Sequence, residues 1–160
     1  MKEILLKTGK IAIVDDEDFE RANKIKWGEL RGVNTCYARA LGMNSGKATA
    51  DTLHRFILGN YGNGLLVDHI NRNGLDNRKQ NLRFCTQKEN SRNQVGTKNS
   101  TSKFKGVCFD KNRNKWMSKI RVDYKTLFIG RFKNEIEAAK AYDKAAKIHF
   151  KEFAYLNFNE

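Results

Sequence analysis

The 160-residue chain has no proline, only three cysteines and no long apolar run. The cysteines, at 36, 85 and 108, are widely spaced and never form a C-x-x-C pair. Such usage fits a reducing cytosol and excludes a structural zinc knuckle. Without an apolar span, a signal peptide or a strongly amphipathic basic helix, we expect a cytoplasmic chain with no membrane partner. The length allows one ordinary domain or two small ones.

Acidic residues are scarce in one part of the chain. Residues 91–133 hold 12 Lys and Arg against 2 Asp and Glu, within a total formal charge of +13. This concentration favours a polyanionic partner and predicts contact with phosphate groups. An RNA-binding or ribosome-associated protein could carry similar charge, but the chain has no RNA-recognition motif and no exposed aromatic series. We therefore expect a monomer that binds double-stranded DNA and uses no small-molecule cofactor.

The stretch from Leu65 to Gln94 predicts a strand, an Asn- and Gly-rich loop, a second strand and a helix. The first strand delivers Asp68 and His69, and the second covers residues 81–85. Neighbouring residues of a flat strand point to opposite faces, so Asp68 and His69 can share one site only if the strand is irregular. We therefore expect a twist or a bulge there.

The helix after the second strand has a well-marked start. Thr86 and Glu89 form a T-x-x-E capping box, which places Asn90 one turn inside the helix. A carboxylate (Asp68), an imidazole (His69) and an amide (Asn90) are thereby predicted to meet.

This combination of side chains favours phosphodiester hydrolysis. Asp68 and Asn90 offer the oxygen ligands that Mg²⁺, or another divalent ion such as Mn²⁺, prefers. The ordinary pKa of histidine, near 6.5, allows His69 to take a proton from an attacking water. Asn81 suits a loop-holding role, since an Asn side chain can bond backbone on both sides of a turn.

The pieces V-D-H-I-N, L-D-N-R, N-L-R and E-N-S-R-N resemble the HNH homing endonucleases of the ββα-metal superfamily. The resemblance implies His69 as general base, Asp68 and Asn90 as metal ligands, and Asn81 as the loop-holding catalytic residue. The third motif position is Asn90, where many HNH enzymes have histidine. One alternative is a simple hairpin in which His69 has only a structural role. Another is a DNA-binding regulator that keeps an inactive HNH fold.

The segment before this stretch predicts small α+β elements. They are a hairpin over 4–14, a helix opened by the acidic run 15–18, a strand over 36–40, a loop over 42–46 and a helix over 51–58. His54 lies near the margin of the last helix, either as a packed residue or as a phosphate contact, and we favour the contact. Arg83 and Arg92 are further candidates for steadying the DNA backbone.

Residues 95–103 are poor in apolar residues and predict a linker. Beyond it, three strands are predicted over 104–110, 115–123 and 125–132, followed by an alanine-rich helix over 134–150. Alternation in the middle strand places Lys115, Lys119 and Arg121 on one face, and apolar residues on the other. Isolated cations are usually only solvated, but clustering on one face favours DNA contact.

The pieces K-G-V, K-W-M-S-K-I-R-V, L-F-I-G-R-F and E-A-A-K-A-Y-D-K-A-A resemble the plant ethylene-response-factor (APETALA-type) DNA-binding domain. In that family a three-stranded sheet enters the major groove, which implies Lys119, Arg121 and Phe128 on the reading surface. Cys108 and Asp110 stand where plant members commonly have arginine. Arg113 and Lys115 are candidates to compensate through phosphate contacts.

The sequence thus predicts an α+β, two-module, site-specific DNA endonuclease. We expect an amino-terminal ββα-metal HNH nuclease domain over 1–94, a linker over 95–103 and a DNA-binding domain over 104–160. The second domain is predicted as a three-stranded antiparallel sheet packed on one helix.

Overall fold

A computed structural model describes residues 1–42, 51–59, 64–95 and 100–158. Within these ranges the chain is a mixture of helices and short antiparallel sheets. The strands are β1 Lys2–Leu5, β2 Ile11–Val14, β3 Trp27–Arg31, β4 Cys36–Ala40, β5 Leu66–His69, β6 Leu82–Cys85, β7 Val107–Asp110, β8 Lys115–Val122 and β9 Lys125–Phe132. The helices are α1 Asp16–Asn23, α2 Leu53–Leu58, α3 Gln87–Asn93 and α4 Glu135–Phe150. No described helix is long and apolar enough to cross a membrane.

The chain divides into two compact units, residues 1–90 and 91–160. The division falls inside α3, whereas composition placed a linker at 95–103. Residues 96–99 of that linker, and 43–46 of the loop predicted at 42–46, lie outside the described residues. Ser102 is buried, and its hydroxyl donates to the Glu135 carboxylate at 2.7 Å. The end of the predicted linker is therefore packed into the second unit.

The first unit is built from three two-stranded antiparallel sheets, β1–β2, β3–β4 and β5–β6, with helices α1 and α2. Its apolar core includes Ile4, Leu6, Val14, Trp27 and Leu53, all buried. Burying a side chain of this size stabilises a fold by roughly 1.5–3 kcal/mol. This core supports the hairpin β5–β6, which carries Asp68 and His69.

The acidic run before α1 does more than begin a helix. Asp15 precedes α1 in extended backbone, but its carboxylate does not cap that helix. Instead, Asp15 Oδ2 accepts a hydrogen bond from the backbone N–H of Lys79 at 2.7 Å. The acidic run thus begins α1 as predicted, with Asp15 at the N-cap position, but the Asp15 carboxylate binds the loop between β5 and β6 and not the helix.

The hairpin β5–β6 lacks the irregularity that the sequence predicted. Asp68 pairs with Arg83 and His69 with Leu82, and the register between Leu66 and His69 runs without a shift. His69 is the last residue of β5, and a turn follows directly. The predicted bulge is thus absent, so the side chains of Asp68 and His69 point to opposite faces of the strand, and both are buried.

The capping box at the start of α3 is confirmed. The backbone N–H of Thr86 donates to Glu89 Oε2 at 2.8 Å, and the backbone N–H of Glu89 donates to Thr86 Oγ1 at 3.2 Å. These two bonds satisfy donors that a helix start leaves without intrahelical partners. They fix the first turn of α3, on which Asn90 lies.

The second unit contains the three-stranded antiparallel sheet β7–β8–β9, against which α4 packs. On β8, Ile120 is buried while Lys119 and Arg121 are exposed. A register shift between Ser118 and Lys119 interrupts the pairing with β9. The Asn134 side chain accepts from the backbone N–H of Ile136 at 2.7 Å and so begins α4.

Candidate active site

Asp68 is buried, with 8% of its surface exposed, and it forms an ion pair across the hairpin. Arg83 donates to Asp68 Oδ2 twice, from Nε at 3.0 Å and from Nη2 at 2.8 Å. The sequence offered Arg83 as a phosphate contact, but its guanidinium lies beside the carboxylate of the neighbouring strand. Two donors on one oxygen fix the orientation of that carboxylate.

His69 is the most enclosed of the predicted site residues, with 4% exposed. Its Nε2 lies 3.3 Å from Oδ1 of Asn77. An amide oxygen only accepts hydrogen bonds, so this contact favours the tautomer with the proton on Nε2 and the lone pair on Nδ1. Burial lowers the pKa of His69, against the opposing effects of the Asn77 bond and the nearby Asp68 and Asp76 charges. The ring is therefore suited to accept a proton at neutral pH.

Asn77 is a site residue that the sequence analysis missed. It is wholly buried, and its backbone N–H donates to the carbonyl of Ile13 at 2.7 Å. Its Nδ2 is buried without a hydrogen-bond partner among the described residues. A buried side-chain amide usually has hydrogen-bond partners for both its oxygen and its nitrogen. Among the described residues, the Asn77 amide has one only for its oxygen, and that partner is His69. The letters L-D-N-R contain Asn77, but nothing local signals its partner.

Two aromatic rings surround His69. The ring centroid of His54 lies 5.0 Å from that of His69 at an interplanar angle of 80°, and that of Tyr37 lies 5.8 Å away. Tyr37 comes from β4 and His54 from α2, so two distant parts of the chain build this wall. The sequence analysis had not selected Tyr37, because a lone tyrosine in a strand carries no local signal.

His54 lies inside this wall and not on the surface. It is 8% exposed, and its Nε2 lies 3.1 Å from Thr52 Oγ1. Burial, together with the charges of His69 and Arg55, lowers the pKa of His54 to about 3. A neutral, enclosed ring is poorly placed for the surface phosphate contact that the sequence favoured. The position instead makes His54 a packing neighbour of His69.

The loop between β5 and β6 is closed by amide and carboxylate contacts. Asn81 Oδ1 accepts from the backbone N–H of Asn71 at 2.9 Å, and Asn81 Nδ2 donates to the carbonyl of Asp76 at 2.7 Å. Arg78 binds both oxygens of the Asp76 carboxylate, at 2.8 and 2.7 Å. This guanidinium lowers the pKa of Asp76, which keeps the carboxylate charged. The network holds the chain between His69 and Asn81 in one conformation.

Cys85 lies close to both Asp68 and Asn90. Burial and the Asp68 charge raise the pKa of the Cys85 thiol to about 11, against a smaller opposing effect of a hydrogen bond from the Asn90 backbone. Asn90 is half-buried in the first turn of α3, and only one residue separates that helix from the end of β6.

Asp68 and Asn90 carry the types of oxygen that bind a hard divalent cation. A carboxylate oxygen and an amide oxygen are ligands that Mg²⁺ accepts while it keeps several waters. Among the described residues, no group of three or more His, Cys, Asp or Glu side chains could hold a metal ion. Oxygen donors of these two types are more typical of Mg²⁺ or Mn²⁺ ligands than of zinc ligands.

The remaining predicted DNA contacts lie in the second unit. Lys115, Lys119 and Arg121 are exposed on β8, and Phe128 on β9 is 56% exposed. Arg113 precedes β8 and is 60% exposed, with Nη1 at 3.6 Å from Asp110 Oδ2.

Arg92 differs from these residues. Its guanidinium carbon lies 4.7 Å from the centroid of the Phe150 ring, and Nη2 lies 3.6 Å from Asp123 Oδ1. The carbonyl of Arg92 also accepts from Lys105 Nζ at 2.7 Å. Arg92 therefore holds the end of α3 within the second unit, and this placement argues against the phosphate contact that the sequence offered.

The hairpin β5–β6 and most of helix α3 lie in a segment that matches a known protein family. The family model described as HNH endonuclease matches residues 53–92. This segment is an HNH endonuclease domain. It begins with α2 and ends near the end of α3, so the HNH domain includes Asp68, His69, Asn77, Asn81 and Asn90.

Part of the chain is similar in sequence to a phage protein. Protein 3.8 of Escherichia phage T7 is 37% identical over 62 residues, which cover 39% of this chain and 51% of that protein. The chain thus spans about half the length of the curated relative that it matches. No solved structure matches the chain.

Proposed function

We propose that the chain is a metal-dependent DNA endonuclease that hydrolyses phosphodiester bonds. The observation that carries the proposal is the arrangement of the HNH domain around His69. A buried, neutral imidazole has one nitrogen directed to an amide oxygen, and a buried carboxylate precedes it in the chain. Buried polar groups lower the stability of a fold unless they are fully hydrogen-bonded. A protein that only binds DNA has no need of buried polar groups arranged in this way.

His69 is the general base in this proposal. Its neutral ring takes a proton from water at Nδ1, and the water oxygen forms a bond to phosphorus while the bond from phosphorus to O3′ breaks. The products carry a 5′-phosphate and a 3′-hydroxyl. Asn81 holds the loop that follows His69, and Asn77 holds the ring itself.

Asp68 and Asn90 would hold the divalent ion. When bound, such an ion supplies positive charge that stabilises the phosphate and the leaving oxygen in the transition state. The ion pair with Arg83 keeps the Asp68 carboxylate oriented, and it supplies a second positive group next to the proposed ligand. With α3 following directly, we assign β5, β6 and α3 to the ββα-metal arrangement.

The second unit supplies DNA recognition in this proposal. The exposed face of its sheet carries Lys115, Lys119 and Arg121, and its opposite face is covered by α4. Among the described residues, none of these three cations has an ion-pair partner, so their charge is available to phosphates or bases. The likeness of residues 105–146 to the ethylene-response-factor family adds support, and together the two units favour a homing type of endonuclease.

Incubation of supercoiled plasmid with the full chain tests the proposal. We expect nicked or linear DNA with Mg²⁺ or Mn²⁺ and intact plasmid with EDTA. His69→Ala should lower the rate by on the order of 10²- to 10⁴-fold, as is typical for loss of a general base. Asp68→Asn should lower it as well, and excess Mg²⁺ should restore part of that loss.

The regulator alternative predicts a different outcome. Binding of duplex DNA with no cleavage under any divalent ion, and equal behaviour of wild type and His69→Ala, would show that the HNH domain is inactive. Cleavage that survives His69→Ala would instead remove His69 from the chemistry.

A further inference from the structure

We propose that Arg131 reads a guanine base in the major groove of double-stranded DNA, with Asp110 and Phe128 holding its guanidinium in place. This inference rests on the proposed DNA recognition by the second unit, but it names a residue that the family resemblance does not supply. Asp110 stands at a position where the similar plant domains commonly have arginine.

The guanidinium of Arg131 spans the sheet. Arg131 is on β9 and pairs with Met117 of β8, whereas Asp110 is on β7. Arg131 Nε donates to Asp110 Oδ2 at 2.9 Å. The guanidinium carbon also lies 4.8 Å from the centroid of the Phe128 ring. Asp110 of β7, which is not adjacent to β9 in the sheet, and Phe128 of β9 itself thus hold the Arg131 side chain.

The hydrogen bond to Asp110 leaves the two terminal nitrogens of the Arg131 guanidinium, Nη1 and Nη2, for contact with a base. The bond uses Nε, and among the described residues neither Nη1 nor Nη2 of Arg131 has a hydrogen-bond partner. Guanine presents two acceptors, O6 and N7, in the major groove, and arginine donates to both in the commonest specific contact. A guanidinium held by a carboxylate at Nε and by a ring on one side loses less entropy on binding than a mobile one.

Phe128 supports the same conclusion. It is more than half exposed, and it pairs with Lys119 of β8 on the face that also carries Arg121. Stacking with Arg131 explains part of its position, and its remaining exposed edge can contact a thymine methyl group or the neighbouring sugar. An ordinary surface ion pair would need no aromatic partner of this kind.

Asp110 is shared, and this gives a matched control. Arg113 Nη1 lies 3.6 Å from the same Oδ2 atom, without the hydrogen bond that Arg131 makes, and Arg113 is 60% exposed. Both guanidiniums lower the pKa of the Asp110 carboxyl, with the Arg131 bond as the larger cause. We assign Arg131 to base reading and Arg113 to phosphate, so the two substitutions should differ in kind.

The test uses the full chain in EDTA, so that DNA is bound and not cut. A pool of duplex DNA with a randomised segment is selected for binding, and each base pair of the selected sequence is then varied singly in a fluorescence-anisotropy assay. We expect at least one required guanine. Arg131→Ala and Arg131→Lys should both reduce the preference at that position by on the order of 5- to 150-fold and leave other positions as they were.

Two further variants distinguish reading from charge. Asp110→Asn should weaken the preference at the same position, because the fork loses its charged partner. Arg113→Ala should lower affinity equally for all sequences and reduce its salt dependence. Melting curves of each variant show whether the second unit is still folded, and Arg131→Lys keeps the charge with the least change in shape.

Several results would overturn the inference. They are a guanine preference that survives Arg131→Lys, a uniform loss of affinity in Arg131→Ala, or equal competition by double-stranded RNA, whose deep major groove excludes such a sheet. Selection of no consensus at all would also overturn it, even if the chain cuts plasmid. Conversely, an Arg131-dependent guanine with no cleavage would uphold this inference while the nuclease proposal fails.

Discussion

Oδ1 of Asn77 lies 3.3 Å from Nε2 of His69, and both side chains are buried. Asn77 is held in turn by its backbone bond to Ile13, a residue of β2. The ring of His69 is thereby oriented from a different part of the chain. The contact with the Asn77 amide favours the tautomer that carries the proton on Nε2.

The first prediction concerns Asn77. Asn77→Ala removes the acceptor and should lower cleavage by about 10- to 100-fold, as loss of an orienting partner commonly does. Asn77→Asp keeps an acceptor oxygen and should restore part of the rate. The ¹⁵N chemical shifts of His69 measure the tautomer directly, without metal or DNA. An unchanged tautomer in Asn77→Ala would show that Asn77 does not select it.

The second prediction concerns the ion pair between Arg83 and Asp68. Arg83→Ala leaves a buried carboxylate without this cation, and loss of one partner of a buried pair costs about 3 kcal/mol or more. We expect a decrease of this order in the free energy of unfolding of the first unit. Urea denaturation followed by Trp27 fluorescence, in a Trp116→Phe background, measures it.

A surface pair in the same unit serves as the control. Arg55 Nη1 lies 3.8 Å from Asp51 Oδ1, and both side chains are about 40% exposed. Arg55→Ala should therefore change the free energy of unfolding by less than about 1 kcal/mol. Equal effects of Arg83→Ala and Arg55→Ala would mean that the Asp68 carboxylate is solvated.

The third prediction is acid sensitivity through His54. The pKa of His54 is about 3 in the folded chain against an ordinary value of 6.5. Below about pH 6.5 the unfolded chain binds a proton that the folded chain does not, so stability is present at neutral pH and falls as pH falls. Between pH 7 and pH 5 this one residue should lower the free energy of unfolding by roughly 2 kcal/mol.

Two variants isolate this effect. His54→Gln cannot titrate, and its amide can still bond Thr52, so its stability should depend less on pH than that of wild type. Thr52→Val removes the hydrogen bond but keeps the imidazole, and it should be less stable with an unchanged pH slope. Identical slopes for His54→Gln and wild type would assign the acid sensitivity to other groups.

Local patterns in the sequence predicted local structure well. The capping box of Thr86 and Glu89 needs only residues three apart, and alternation along β8 needs only period two. The match of residues 53–92 to HNH endonuclease confirms the HNH domain that the motif pieces between Val67 and Asn93 indicated. These features could be predicted because their spacing along the chain is itself the physical cause of the contact.

Contacts between distant segments could not be predicted in the same way. Tyr37 and His54 reach His69 only after β4, α2 and β5 have packed, and Asn77 reaches it only through its bond to β2. Arg83 would have been assigned to Asp68 if the register of β5 and β6 had been known. The candidate residues of the site could therefore be named from the sequence motif, but the partners that orient them could not.

The last prediction tests the packing between the sheet of the second unit and α4. Gly106 has a φ of +77°, and a Cβ atom there would lie 2.0 Å from Cδ2 of Tyr142 and 2.8 Å from the carbonyl oxygen of Lys119. Gly106→Ala must therefore displace a buried ring of α4 or the backbone of β8, in addition to its strained φ. We expect the free energy of unfolding of the second unit to fall by about 3 kcal/mol or more.

Gly9→Ala is the control, since Gly9 has a φ of +83° with nothing within 4 Å, and it should lower the free energy of unfolding of the first unit by only about 1 kcal/mol. Hydrogen exchange of α4 amides measures the effect, and equal protection in Gly106→Ala and wild type would contradict the close contact between Gly106 and Tyr142.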